Sequence, residues 1–168
     1  MHFARRTHGK EKLFDKRPMG IYTITEDRRF MIEAIKEAEK AAEKEEVPVG
    51  AVAVFEKRII AKRHNEVEAK RDPTAHAEML VLKDAQKALG RKWLNGVTLY
   101  STLKPCRMCE GAMELLRIER CVFGAEEKKR IFGKVEIENG VLREECGRML
   151  SRFFKALRYD NRDKRRGD

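Results

Sequence analysis

GVTLYSTLKPCRMCEGAMELLRIERCVFGA, Gly96 to Ala125, changes its pattern twice. GVTLYSTL is dense in β-branched and aromatic residues and reads as a strand; CRMCEGAMELLR spaces its apolar residues for a helix; RCVFGA is a second strand. Upstream, VPVGAVAVF (Val47 to Phe55) and RIIAKRHN (Arg58 to Asn65) are two antiparallel strands separated by Glu56 and Lys57. Before them, Thr25 with Glu26 and Asp27 looks like a helix start, and Phe30, Met31, Ala34, Ile35, Ala38 and Ala42 form an apolar stripe at helical spacing. Asp72 or Thr74 caps a second helix that runs to about Leu89, where Gly90 closes it. Downstream, GKVEIENG is a last strand before a helix from about Leu142 to Tyr159. The order α-β-β-α-β-α-β-β-α predicts an α/β fold of three layers, a mixed sheet of about five strands with helices on both faces.

Bulk properties narrow the function classes. A chain of 168 residues is long enough for one domain with a real core, and 42% apolar against 39% charged residues excludes disorder throughout. The longest apolar run, Val49 to Phe55, is too short to cross a bilayer, so no membrane partner is expected and the expected location is cytoplasmic. Four cysteines, two of them as C-x-x-C, fit a reducing compartment better than a disulfide framework. Of the net charge of +10, residues 1–25 carry +4 and residues 148–168 carry +5, leaving a nearly neutral body. Two basic ends suit a polyanion, nucleic acid first, although basic tails also simply aid solubility. Residues 1–22 are expected to be a flexible basic extension, 23–159 the folded domain and 160–168 a basic tail.

DPTAHAEMLVL, Asp72 to Leu82, places His76 two residues before Glu78 at the start of the second helix. PCRMC, Pro105 to Cys109, lies where the third strand turns into the third helix. Helix starts at one sheet edge can bring one His and two Cys together, and zinc accepts that donor set with a fourth position left for water. Glu78 then stands where it can take a proton from that water and return it to a leaving group. A lone C-x-x-C also fits redox chemistry or structural zinc, and a histidine at a helix start is often an ordinary cap. H-x-E followed about 30 residues later by P-C-x-x-C is more specific, being the signature of zinc-dependent nucleobase deaminases. Cys121 and Cys146 read as small buried hydrophobes rather than ligands.

EVPVGAVAV, HN, DPTAHAEML, STLKPCRMCEGAM, RIERCVFGA and GVLREECGRMLSRFFKALR, covering roughly residues 26 to 158, resemble successive blocks of the bacterial tRNA-specific adenosine deaminases. The resemblance implies a cytidine deaminase-like fold, a homodimer, and conversion of adenosine to inosine at the wobble position in a tRNA anticodon stem-loop. By matching blocks, one Zn2+ per subunit would be held by His76, Cys106 and Cys109, with Glu78 shuttling protons. Asn65 would hydrogen-bond the base, Val47, Pro48 and Val49 would form the apolar wall beneath the purine, and the amide of Ala77 would be a donor near the reacting centre. Glu127 aligns with an RNA-contacting aspartate. On the last helix, Arg152, Lys155 and Arg158 are candidate phosphate contacts, and Phe153 and Phe154 either stack on a nucleotide or pack into the core.

Three features depart from the family. Lys104 stands where a Glu usually precedes the Pro-Cys, Glu127 is one methylene longer than the aspartate, and about 15 residues are missing between FGA and GVL. The family resemblance implies a parallel final strand, but with only about eight residues, Glu126 to Gly133, joining the last two strands, loop length favours an antiparallel or irregular one, because a parallel crossover ordinarily takes a dozen or more. A deaminase of a free base or nucleoside, of guanine or cytidine type, is the competing function; it would keep the same zinc motif without needing the basic last helix. A nucleic-acid module with inert zinc would leave Glu78 without a purpose.

Overall fold

The computed structural model of the chain describes residues 22–125 and 135–164, with side chains to residue 159. Residues 1–21 of the N-terminal extension and Glu127 lie outside the described residues.

Helix α1 (Ile24–Glu43) starts earlier than Thr25 suggests. Thr23 is its N-cap: its Oγ1 accepts from the Glu26 amide at 3.2 Å while its own amide donates to Glu26 Oε2 at 2.9 Å. This reciprocal box needs Thr and Glu three residues apart, which Thr23 satisfies and Thr25 does not. Strands β1 (Gly50–Phe55) and β2 (Arg58–His64) form the expected hairpin. Glu56 and Lys57 both take positive φ, 48° and 60°, as a two-residue turn matched to strand twist requires. Ile60 is an extra residue, since Ala53 pairs with Ala61 and Val54 with Ile59.

A four-residue helix, α2 (Val67–Lys70), precedes α3 (Ala77–Leu89), which Gly90 ends in the left-handed conformation as expected. Neither Asp72 nor Thr74 caps α3. Asp72 instead closes a local turn, its Oδ1 accepting from the Thr74 amide at 2.8 Å and hydroxyl at 2.7 Å, and His76 takes the N-cap position. Strand β3 (Val97–Leu103), helix α4 (Arg107–Leu115) and strand β4 (Arg120–Ala125) follow, then β5 (Glu136–Asn139) and α5 (Arg143–Lys164). Helix α5 continues five residues past Tyr159, so the expected tail boundary falls inside it; YDNRDK contains neither Gly nor Pro to stop it.

The sheet has the order β2-β1-β3-β4-β5. β1 is antiparallel to β2 and β3, and β3 to β4 is parallel. β5 also runs parallel to β4, pairing Arg120 with Glu136 through Phe123 with Asn139, which overturns the antiparallel or irregular expectation. A connection of a dozen or more residues is needed where the crossover carries a helix. The return along β4 is only about 20 Å, and ten linking residues can span up to about 33 Å, so no helix is needed.

Strand periodicity assigns the two faces. Ala51, Ala53, Leu99, Cys121 and Phe123 point toward Val81, Leu82 and Ala85 of α3 and Met113 of α4. Val52, Val54, Tyr100 and Val122 point toward Phe30, Met31 and Ala34 of α1 and Leu142 and Cys146 of α5. Three layers result, α1 and α5 against one face, α3 and α4 against the other. Cys121 and Cys146 are buried in them as expected. At Gly50 a Cβ would collide with the Ala34 carbonyl, so only glycine lets α1 lie this close to β1.

A buried polar group pins these layers. Arg120 of β4 donates twice to Asp27 of α1, at 2.8 and 2.9 Å, and the Tyr100 hydroxyl of β3 donates to the same carboxylate at 2.8 Å. Burial and then the Asp27 charge push the Tyr100 phenol above its ordinary range. Burial opposes the charge of Arg120, yet hydrogen bonding to Asp27 holds its pKa above the usual value.

Candidate active site

Two helix starts define the site. His76 is the N-cap of α3 and Cys106 the N-cap of α4, and neither side chain caps its own helix. Cys109 is the third residue of α4 and is wholly buried, whereas Cys106 is exposed. His76 Nδ1 lies 3.6 Å from both sulfurs, and the sulfurs are 3.6 Å apart. A tetrahedral zinc with bonds of about 2.3 Å to sulfur and about 2.0 Å to nitrogen separates its ligand atoms by about 3.5–3.8 Å, so the three donors fit one such ion. Without a cation, burial and then the neighbouring Glu78 push the Cys109 thiol well above its ordinary range; a divalent ion reverses that preference.

Glu78, the second residue of α3, is buried, and its Oε1 accepts from Ser101 Oγ on β3 at 3.1 Å. Desolvation raises its pKa above the ordinary carboxylate value, opposed in part by its own backbone amide, by His76, by Ser101 and by Cys109. A carboxyl in that environment holds a proton more readily than one in water. Ala77, at the first position of α3, is completely buried, and its amide has no acceptor within its own helix.

Asn65 is buried, and its amide donates to the Val49 carbonyl at 2.9 Å; the next amide, of Glu66, donates to the Ala75 carbonyl at 3.1 Å. These bonds set Asn65 between Val49 and the residue before His76. Pro48 and Val49 are buried and Val47 half-buried, and Val47 and Val49 pack into the core that also holds Ala77. The structure thus gathers Val49, Asn65, His76, Ala77 and Glu78 around one end of the sheet.

The candidate RNA contacts fall on α5. A groove of about 690 Å³ runs along it, lined by Arg143, Arg148, Arg152 and Lys155 with Glu144 and Ala125. At its Ala125 end, the Ala125 carbonyl accepts from the Lys104 amide at 3.3 Å, two residues before Cys106 in the chain. Phe153 and Phe154 pack edge to face, centroids 5.5 Å apart, with Phe153 half-buried and Phe154 exposed. Arg158 is exposed and is not among the groove's lining residues.

Two residues escaped the sequence reading. Ser101 holds Glu78, and Glu46 accepts from Asn65 Nδ2 at 3.0 Å. Ser101 is one of four hydroxyl-bearing residues on β3, with Thr98, Tyr100 and Thr102, and nothing local singles it out as the partner of Glu78. Nothing local marks Glu46 among its acidic neighbours.

Residues 24–125 match the family model of the cytidine and deoxycytidylate deaminase zinc-binding region. The tRNA-specific adenosine deaminase of Bacillus subtilis is 50% identical, the match covering 80% of this chain and 92% of that protein. A solved structure from work on A-to-I editing by tRNA:A34 deaminases at the wobble position of transfer RNA is 38% identical with a TM-score of 0.69, covering 73% of this chain and 99% of that one. The guanine deaminase of Bacillus subtilis is 36% identical with a TM-score of 0.56, over 58% of this chain and 63% of its own. A His-Cys-Cys triangle sized for zinc, a buried carboxylate beside it and these likenesses lead to one conclusion: the chain belongs to the zinc-dependent cytidine and deoxycytidylate deaminase family, within its tRNA-specific adenosine deaminase branch.

Proposed function

We propose that this chain hydrolytically deaminates adenosine to inosine in tRNA, at the wobble position of an anticodon stem-loop. The observation that carries the chemistry is Glu78, buried and held by Ser101 beside the His76, Cys106 and Cys109 triangle. His76, Cys106 and Cys109 are assigned as the ligands of one zinc. Zinc, when bound, supplies a Lewis acid that brings the pKa of water from about 15.7 toward about 7. Glu78 takes the proton of the attacking water and delivers it to the ring nitrogen beside C6 as the oxygen adds at C6. It then takes the proton of the hydroxyl now on C6 and passes it to the amino group, the C6–N bond breaks as the C6 carbonyl forms, and ammonia leaves. Asn65 orients the base, Val47, Pro48 and Val49 pack beneath it, and the Ala77 amide donates near the reacting centre. A base must leave its stack to reach such a site, which a single-stranded anticodon loop permits at low cost.

The basic groove along α5 supports RNA over a free base as substrate, with Arg152 and Lys155 on phosphate and Phe153, Phe154 and Arg158 flanking them. Glu127 is assigned to RNA from the family resemblance alone. The likeness to guanine deaminase favours the second reading, turnover of a free base or nucleoside, but extends over less of the chain. Zinc-loaded protein is expected to release ammonia from an anticodon stem-loop, with inosine mapped to the wobble position, and to leave free adenosine, guanine and cytidine largely untouched. Faster turnover of guanine than of the stem-loop would establish the second reading instead.

Helix α4 presents Leu115, 80% exposed, and Met108 on one face, seven residues apart, an apolar surface suited to a homodimer. Sedimentation of the loaded protein as a single monomeric species at micromolar concentration would refute the dimer. A cytoplasmic setting is part of the same proposal, as the place where tRNA would be met; among the described residues no helix is long and apolar enough to cross a membrane.

Replacing Arg152, Lys155 and Arg158 together with alanine is expected to weaken stem-loop binding and flatten its salt dependence by roughly 0.7 per lost contact, with zinc content unchanged. Equal affinity of variant and parent across a salt series would remove α5 from the RNA interface.

A further inference from the structure

Glu46 is a completely buried carboxylate that takes no part in the proposed chemistry. Its oxygens are met by neutral amides: Oε2 accepts from Asn65 Nδ2 at 3.0 Å and from the Glu68 amide at 3.2 Å, and Oε1 accepts from the Ala69 amide at 2.8 Å. Burying a carboxylate on neutral donors is costly compared with an apolar side chain of the same size, so its chemistry needs a reason beyond packing.

The reason lies in what a carboxylate cannot do. It only accepts, whereas an asparagine amide has a donor end and an acceptor end of nearly the same shape. A partner able both to donate and to accept would allow the Asn65 amide to sit either way round. Glu46 allows one orientation, with the NH2 toward itself and Oδ1 turned away. The Asn65 backbone is fixed independently by its bond to Val49.

We propose that Glu46 is a positioning residue that determines which end of Asn65 meets the substrate: it locks the amide so that Oδ1 faces a hydrogen-bond donor of the bound nucleotide. Glu46 has no exposed surface, so any effect on the substrate's edge passes through Asn65, while its bonds to the Glu68 and Ala69 amides hold the carboxylate in place. This rests on the deaminase reading of the site. Without the lock, the site presents a mixture of donor and acceptor, and discrimination between nucleotides of opposite edge polarity falls.

The test is a double-mutant cycle of Glu46→Gln and Asn65→Ala in the zinc-loaded protein. It is run on whichever of the stem-loop, adenosine, guanine or cytidine the parent turns over, so that an error in the assigned substrate does not carry over to Glu46. Glu46→Gln keeps the shape but turns an NH2 toward one of the three donors. Each single change is expected to lower kcat/KM by roughly 10-fold, and Glu46→Gln is expected to cost no more than about twofold further once Asn65 is replaced by alanine, the mark of a residue acting through another. A purely structural Glu46 would make the two losses multiply, and that result overturns the proposal, as does full activity of Glu46→Gln. A readout independent of turnover is the side-chain amide resonance of Asn65 in the parent, where one NH2 proton is expected to be shifted downfield and protected from exchange. Two equivalent, freely exchanging protons would overturn it as well.

Discussion

Glu78→Ala is expected to retain one zinc per chain and to turn over at least ~10²-fold more slowly than the parent, the usual scale for removing a group that moves protons in the transition state. The side chain lies beside the ligand triangle but outside it, bonded to Ser101, so its loss empties no coordination position. Cys106→Ala gives the complementary result. It removes one corner of the triangle, and zinc measured by atomic absorption is expected to fall to background. The pair separates proton transfer from metal holding with two purified variants and one metal analysis. Glu78→Ala protein that purifies without zinc would make Glu78 a ligand and return the proton-moving role to another group.

The largest expected effect on stability is at Arg120. In Arg120→Met the Asp27 carboxylate stays buried with Tyr100 but loses the two guanidinium bonds, and removal of one partner from a buried pair costs about 3–5 kcal/mol. For a chain of this length that lowers the melting temperature by roughly 10 °C. The effect belongs to the stranded charge and not to the arginine as such. Asp27→Leu combined with Arg120→Met is therefore expected to regain most of the loss, because an apolar pair of similar volume has no charge to leave uncompensated. A single Arg120→Met variant melting within a degree of the parent would show that the pair does not hold α1 to the sheet.

What was legible in the sequence was local. The stripe from Phe30 to Ala38, the Glu56–Lys57 turn and the Gly90 stop are each written in a few neighbouring residues, and the candidate ligands His76, Cys106 and Cys109 in two short motifs, H-x-E and P-C-x-x-C, about 30 residues apart. What was not legible depended on partners far away in the chain or on geometry that spacing does not encode. Ser101 reaches back 23 residues to Glu78, and Glu46 reaches forward 19 to Asn65. The direction of β5 turned on the distance its linker must cover, which is set by where β4 begins and not by the number of residues a helical crossover usually needs. Thr25 drew attention away from Thr23 because the acids after it suggested a first turn, while the cap is fixed by a pairing three residues long.

His76 is separated from Cys106 by 30 positions and from Cys109 by 33, and the intervening chain contains α3 and β3, central parts of two layers. An ion gripping all three therefore closes a loop, as a covalent bridge between those positions would. By chain entropy a closure of that length restricts the unfolded chain by about 3–4 kcal/mol. The same three side chains thus act as a removable staple. A sample stripped by a chelator has lost a tether as well as a reagent, and its heat inactivation begins at a lower temperature than that of the loaded protein.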